Sequence, residues 1–157
     1  MNEIFMKRAI ELAHIAETFD EVPVGAVIVK NGKIIAEGYN HKEIENCATR
    51  HAEIEVIEKA SKVLNNWYLS ECELYVTLEP CLMCCGAIIN SRIDKVYFGA
   101  YDYKTGCCGS IYNMLNDKKF NHQPEVYGGI IVEEWSNMLC EFFKKKRLEK
   151  KGQDKWK

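Results

Sequence analysis

Two short patterns constrain this chain more than anything else in it: His51-Ala52-Glu53 at the head of one helical stripe, and Pro80-Cys81-Leu82-Met83-Cys84 at the head of the next. Cys81 and Cys84 are three residues apart, a spacing that on a helix sets both sulfurs on one face, within reach of a single metal ion. The partial positive charge at a helix N-terminus favours their thiolates. One histidine completes a set of protein ligands that leaves a fourth position for water, the arrangement of a catalytic zinc site rather than a closed structural one. Sulfur-rich ligation with one imidazole selects zinc over magnesium, calcium or manganese. The information lies in the pair of patterns, opening successive helices separated by one strand. A lone Cys-x-x-Cys is often a redox pair or part of a structural site, and a lone His-x-Glu says almost nothing.

Glu53 adds to this. It precedes Val56 and Ile57 by three and four residues, on the apolar stripe of its helix. A carboxylate that faces a core is costly unless it has a partner. Water activated by a metal is one, with Glu53 as its general base. His51 lies two residues earlier, about 200° round a regular helix. Both side chains serve one site only if His51 sits in the first turn and points past the helix end, an arrangement for which Thr49 is the expected N-cap.

The rest of the chain alternates between two periods. Ile4, Phe5, Ala9, Leu12, Ala13 and Ala16 predict a first amphipathic helix. Residues 25–29 and 34–39 read as strands, joined at Asn31-Gly32, where both residues tolerate positive φ. Val56, Ile57, Ala60, Val63, Leu64 and Trp67 form a second helical stripe, and residues 74–78 a strand. Pro80 is expected to open the third helix at its first position, where a missing N–H is harmless. Strands follow at 96–100 and 126–132, then a long helix from Trp135 to about Lys151. The segment from Tyr101 to Gln123 reads as loop with a short helix near Met114. Alternating strands and helices imply an α/β layer structure around one sheet.

Length and composition limit what such a sheet can belong to. A chain of 157 residues, 47% apolar and 28% charged, reads as one domain spanning residues 1–157. No apolar run approaches the ~18 residues of a membrane helix. The start Met1-Asn2-Glu3-Ile4 is not that of a secretory signal, so the expected location is the cytoplasm and no membrane partner is expected. In that compartment the eight cysteines stay reduced, and those outside the metal motif read as small buried residues. The net charge of −2 hides an asymmetry: Lys144 to Lys157 carries eight basic and two acidic residues, a surplus of +6, against −8 over the preceding chain. A basic end on an acidic body either meets a polyanion or is a solvated helix tail.

Several further segments carry a resemblance. His51-Ala52-Glu53 with Pro80-Cys81-x-x-Cys84 resembles the known signature of the cytidine-deaminase-like superfamily of zinc deaminases. Residues 21–26 (Glu-Val-Pro-Val-Gly-Ala), Glu37-Gly38-Tyr39-Asn40, Leu78-Glu79-Pro80-Cys81-Leu82-Met83-Cys84, Phe98-Gly99-Ala100-x-Asp102-x-Lys104-Thr105-Gly106, Asn121-His122 and Phe142-Phe143 with the basic stretch after it are similar to the bacterial tRNA-specific adenosine deaminases. The resemblance runs from the first helix to about Lys151. It implies a three-layer fold with a five-stranded mixed sheet flanked by helices. It implies a hydrolase that turns the wobble adenosine (position 34) of tRNA into inosine, in an arginine tRNA with an ACG anticodon. His51, Cys81 and Cys84 would hold one Zn2+ per subunit. Glu53 would act as base towards water and carry protons to adenine N1 and the departing amine. Asn40 would hydrogen-bond the flipped base, while Asp102, Lys104 and Phe143 with the basic helix at about 135–151 would face the anticodon stem-loop. A homodimer without a nucleotide cofactor is also implied. Arg50, Cys85 and Cys107-Cys108 depart from the usual bacterial pattern.

Single-stranded loops are read through splayed bases, stacking and phosphate contacts, which Tyr101, Tyr103, Phe143 and late lysines can supply. Taken singly, each of these is an ordinary packing or surface residue, and Asn40 at a strand end is an ordinary turn former. The same zinc motif would serve a deaminase of free nucleobases or nucleosides of the guanine or cytosine type. Two further readings are a non-catalytic zinc-stabilised RNA-binding subunit, against which Glu53 argues, and a thiol redox protein using Cys81 and Cys84.

Overall fold

The computed structural model describes residues 1–150. Its elements run α1 (Glu3–Thr18), β1 (Gly25–Lys30), β2 (Lys33–Tyr39), α2 (Ala52–Leu64), β3 (Cys72–Leu78), α3 (Leu82–Ser91), β4 (Lys95–Ala100), a short 3-10 turn at Met114–Asn116, β5 (Glu125–Tyr127) and α4 (Val132–Glu149). The expected architecture holds: four α-helices and one five-stranded mixed sheet in the order β2-β1-β3-β4-β5. β1 runs antiparallel to both β2 and β3, while β3, β4 and β5 are parallel. Parallel neighbours need a crossover, and α3 supplies the one from β3 to β4.

The sheet is covered on both faces, which the glycines of the first hairpin make explicit. Gly25 pairs with Tyr39, and Gly38 with Ala26, so Gly25 and Gly38 project to opposite faces. A Cβ on Gly25 would fall 2.0 Å from the Ala9 carbonyl oxygen of α1, and one on Gly38 would lie 3.1 Å from Val56 of α2. α1 and α2 therefore press on opposite faces. α4 packs against α1 and β4, and α3 against α2. Tyr75 and Tyr97 stack at 4.6 Å on the α1 face, and Phe5 of α1 lies 5.4 Å from Tyr75. Burial on both faces explains why β1 and β3 read as apolar runs.

Asn31 and Gly32 take the positive φ values expected of the hairpin turn, 51° and 74°. Four boundaries differ from expectation. Asn65 adopts a left-handed conformation that ends α2 at Leu64, so Trp67 lies beyond the helix and is exposed. Pro80 lies outside α3, because Cys81 is extended and caps the helix. β5 stops at Tyr127 instead of continuing to Val132: Gly129 and Ile131 have positive φ, and the turn they make starts α4 at Val132. The expected end of that helix near Lys151, and the basic residues from Lys151 onward, lie outside the described residues. No helix among the described residues is long and apolar enough to cross a membrane.

Candidate active site

The starts of α2 and α3 meet on one face of the sheet. His51 is the N-cap of α2 and Cys81 the N-cap of α3, both with extended backbone and neither with a side-chain capping bond. An N-cap side chain usually turns back onto its own helix; here both turn instead towards each other. Thr49, the expected cap, accepts the His51 N–H through its carbonyl at 2.8 Å and leaves the capping position to His51 itself. This placement removes the angular conflict between His51 and Glu53. His51 precedes the helix while Glu53 lies in its first turn, buried with Val56 and Ala52.

His51 Nδ1 lies 3.6 Å from Cys81 Sγ and 3.5 Å from Cys84 Sγ. All the candidate ligand atoms lie within 4.8 Å of one another. Tetrahedral zinc with Zn–S of about 2.3 Å and Zn–N of about 2.05 Å would separate sulfur and nitrogen by about 3.6 Å. The donor set and its spacing thus fit a zinc ion, with Nδ1 as the imidazole ligand. Cys81 is held down to about 4 by the hydrogen bond from Cys84, helped by His51, and Cys84 is correspondingly pushed far up. His51 is raised, mainly by Cys81. Cys81 thus stands ready as a thiolate, while Cys84 and His51 are biased towards holding protons that a bound metal would displace.

Glu53 is 4% exposed, and burial pushes its carboxyl up to about 6, with His51 and the Cys84 thiol opposing part of that rise. A carboxylate buried beside three metal-ligating side chains can exchange protons with a small molecule held there.

Of the other expected residues, Asn40, Asp102 and Lys104 lie on segments bonded to the approaches to α2 and α3, while Phe143 lies on α4, which packs against α1 and β4. Asn40 is buried at the end of β2; its Oδ1 accepts the Lys42 N–H at 3.1 Å. His41 N donates to the Arg50 carbonyl at 2.9 Å, which ties the Asn40 segment to the approach to His51. Asp102 closes its own turn, accepting the Lys104 and Thr105 amides at 3.0 and 3.2 Å and the Thr105 hydroxyl at 2.6 Å, while Lys104 is exposed. That loop reaches the metal group through a β-bridge between Gly106 and Cys81. Phe143 is half-buried on α4, edge-to-face with Phe142.

Lys146, one of the late lysines, is turned inward. It is 3% exposed, paired with Asp20 and, at 3.2 Å, with Glu149. All eight cysteines are free. Cys85 is fully buried, as expected, with its sulfur 3.5 Å from that of Cys108. Cys140 is exposed and Cys47 only partly buried, contrary to expectation; Cys47 lies in the irregular segment between β2 and α2.

Two buried carboxylates escaped the sequence reading. Glu21, fully buried, accepts the Glu43 and Ile44 amides at 2.9 and 2.5 Å. Glu79, 2% exposed, receives donors from the loop after β4. Their partners lie more than twenty residues away in sequence, so no local spacing points to them. The signal was weak: Glu79 stands between Leu78 and Pro80, while Glu21 follows Asp20 and precedes Val22-Pro23.

Comparison with known proteins bears on this site. The MafB19-like deaminase family model matches residues 1–147. The tRNA-specific adenosine deaminase of Bacillus subtilis (strain 168) is 50% identical over 151 residues, covering 96% of this chain and 94% of the relative. A structure from a study of A-to-I editing by tRNA:A34 deaminases at the wobble position of transfer RNA superposes with a TM-score of 0.85 at 40% identity, covering 88% of this chain and all of the other. A guanine deaminase from Nitrosomonas europaea superposes with a TM-score of 0.80 at 25% identity, covering 90% and 84%.

Proposed function

Since the chain belongs to the MafB19-like deaminase family and stands among the tRNA-specific adenosine deaminases, we propose that it converts adenosine 34 of an arginine tRNA with an ACG anticodon into inosine, by zinc-dependent hydrolysis in the cytoplasm. The observation that carries this reading is the triangle of His51 Nδ1, Cys81 Sγ and Cys84 Sγ with Glu53 buried against it.

His51, Cys81 and Cys84 hold one zinc ion per subunit. The metal supplies the Lewis acidity that makes water a nucleophile near neutral pH. Glu53 accepts a proton from water and passes it to adenine N1, then carries a second proton from the oxygen added at C6 to the departing amine, so adenosine and water become inosine and ammonia. Asn40, buried at the end of β2, hydrogen-bonds the extruded base. Lys104 and the turn that Asp102 closes meet the anticodon stem-loop, as do Phe143 and the basic face of α4. A base already unpaired in a loop is extruded at less cost than one from a duplex. A homodimer fits the same reading: Leu82 beside Cys81, and Tyr103, Ile111 and Tyr112 on the neighbouring loop, are exposed apolar groups around the site.

The test is an arginine tRNA bearing A34, assayed for inosine at that position with zinc measured on the same sample and a panel of free adenosine, cytidine and guanine beside it. Inosine on the tRNA with one zinc per chain is the expected result. Turnover of free bases alone would keep the chemistry and overturn the RNA substrate.

A further inference from the structure

The carboxylate of Glu79 is 2% exposed, yet it takes no part in the metal group. Its donors all come from one loop. Oε1 accepts the Asp102 amide at 3.0 Å and the Ser110 hydroxyl; Oε2 accepts the Cys108 amide at 2.8 Å and the Ser110 amide at 3.1 Å. A buried carboxylate is tolerated when hydrogen bonds replace its hydration, and here three backbone N–H groups and a hydroxyl do so. Without it, those same amides would be buried donors with no acceptor, each a penalty larger than an ordinary lost hydrogen bond.

The backbone around Glu79 makes the same join. Its N–H donates to the Ala100 carbonyl at 2.9 Å, the Pro80 carbonyl accepts the Cys107 amide at 2.9 Å, and Cys81 bridges to Gly106. Residues 79–81 thus zip to residues 106–108, with the carboxylate inside the zip. The approach is so close that a Cβ on Gly106 would lie 2.3 Å from Glu79 Cδ. Only glycine fits there. One side chain, two residues before the metal-ligating Cys81, therefore sets the path of the segment that carries Tyr101, Tyr103 and Lys104, all exposed.

We infer that Glu79 is a positioning residue for substrate: by clamping the 101–110 loop to the start of α3, it presets the rim against which the nucleic acid docks. This rests on the tRNA-deaminase reading above for the identity of the substrate, though not for the clamp itself. Glu79 touches neither the metal group nor the reacting base, so its loss should act on substrate engagement rather than on the chemical step.

Glu79→Gln tests this with little change of shape. Whichever way the amide turns, its NH2 faces at least one backbone N–H that the carboxylate accepted. Three measurements are made on the zinc-loaded protein: zinc per chain, hydrogen exchange of the Asp102, Cys108 and Ser110 amides, and KM and kcat on an A34 anticodon stem-loop. The expected result is unchanged zinc, exchange at the three amides faster by tenfold or more, and a KM raised roughly 2- to 10-fold, the scale of re-ordering a loosened binding surface, with kcat unchanged. A fall in kcat at unchanged KM, loss of zinc, or unaltered exchange would overturn the inference. Ser110→Ala, which removes one donor and leaves the carboxylate, serves if the first variant does not fold. It should move exchange and KM the same way by a smaller factor, and no movement of either overturns the inference. If the parent protein deaminates no tRNA, the functional reading falls and the amide exchange alone decides for or against the clamp.

Discussion

His51 and Cys81 stand at the N-caps of two regular helices, whereas the 101–110 loop beside them is held by a carboxylate from another strand. In the first region each side chain is placed by the backbone that carries it: a cap, then a first-turn residue, repeated on α2 and α3. In the second, the backbone is placed by a side chain more than twenty residues away. The segment leading to His51 shows the second construction as well, since Glu21 holds the Glu43 and Ile44 amides. The difference has a consequence. A three-residue donor set has no ligand to spare, so damage to the candidate metal group is expected to be severe. A clamped loop can loosen by degrees, so damage to the rim is graded.

The steepest test of that contrast is Cys84→Ala. Loss of one sulfur from a three-residue donor set should empty the site and lower deamination by at least about 10⁴-fold, since the activated water is lost altogether. Metal analysis after gel filtration checks it, and removing zinc from the parent with a chelator should reproduce the loss and be reversed by zinc. Next comes Glu53→Ala. Zinc content should stay at the parent value while kcat falls about 10²- to 10⁴-fold, the range for a lost general acid–base; retained activity would take that role from Glu53. A smaller effect is expected at the rim. Asn40→Ala should lower kcat/KM about 10- to 100-fold, the worth of one buried hydrogen bond, with zinc unaffected.

The mildest comparison lies within α4. Lys144 and Lys145 are exposed, and Lys146 is buried against Asp20 and Phe142. Replacing Lys144 and Lys145 together by alanine should raise KM for the anticodon stem-loop by about two- to fivefold and flatten its dependence on salt, as loss of phosphate contacts does. Lys146→Met should lower the Tm and leave KM where it was. Equal effects on KM from the two variants would erase the distinction between the solvated and the inward face of this helix.

How much of this was legible follows the same division. The candidate metal group could be read because Cys81 and Cys84 are three residues apart and His51-x-Glu53 and Cys81 each open a helix, and short spacings survive folding. The sheet could be read because strands buried on both faces are apolar runs and Asn31-Gly32 admits one kind of turn. The cap of α2 was misplaced at Thr49 by convention, since an N-cap side chain normally bonds its own helix. His51 breaks that convention because its side chain turns towards Cys81 and Cys84. β5 was read too long because Ile130, Ile131 and Val132 favour strands, and nothing in their spacing shows the left-handed turn at Ile131 that starts α4 early.

The donor set, the alternation of elements and the deaminase resemblance could all be read from the chain alone, because each depends on residue types a few positions apart. That Glu79 and Glu21 are buried clamps and that Lys146 faces inward became visible only in the folded chain. Those facts depend on which distant backbone amides and charges fold against a given side chain. A buried carboxylate is stable only where such donors converge on it, and their convergence is a property of the whole sheet and its connections rather than of any short segment.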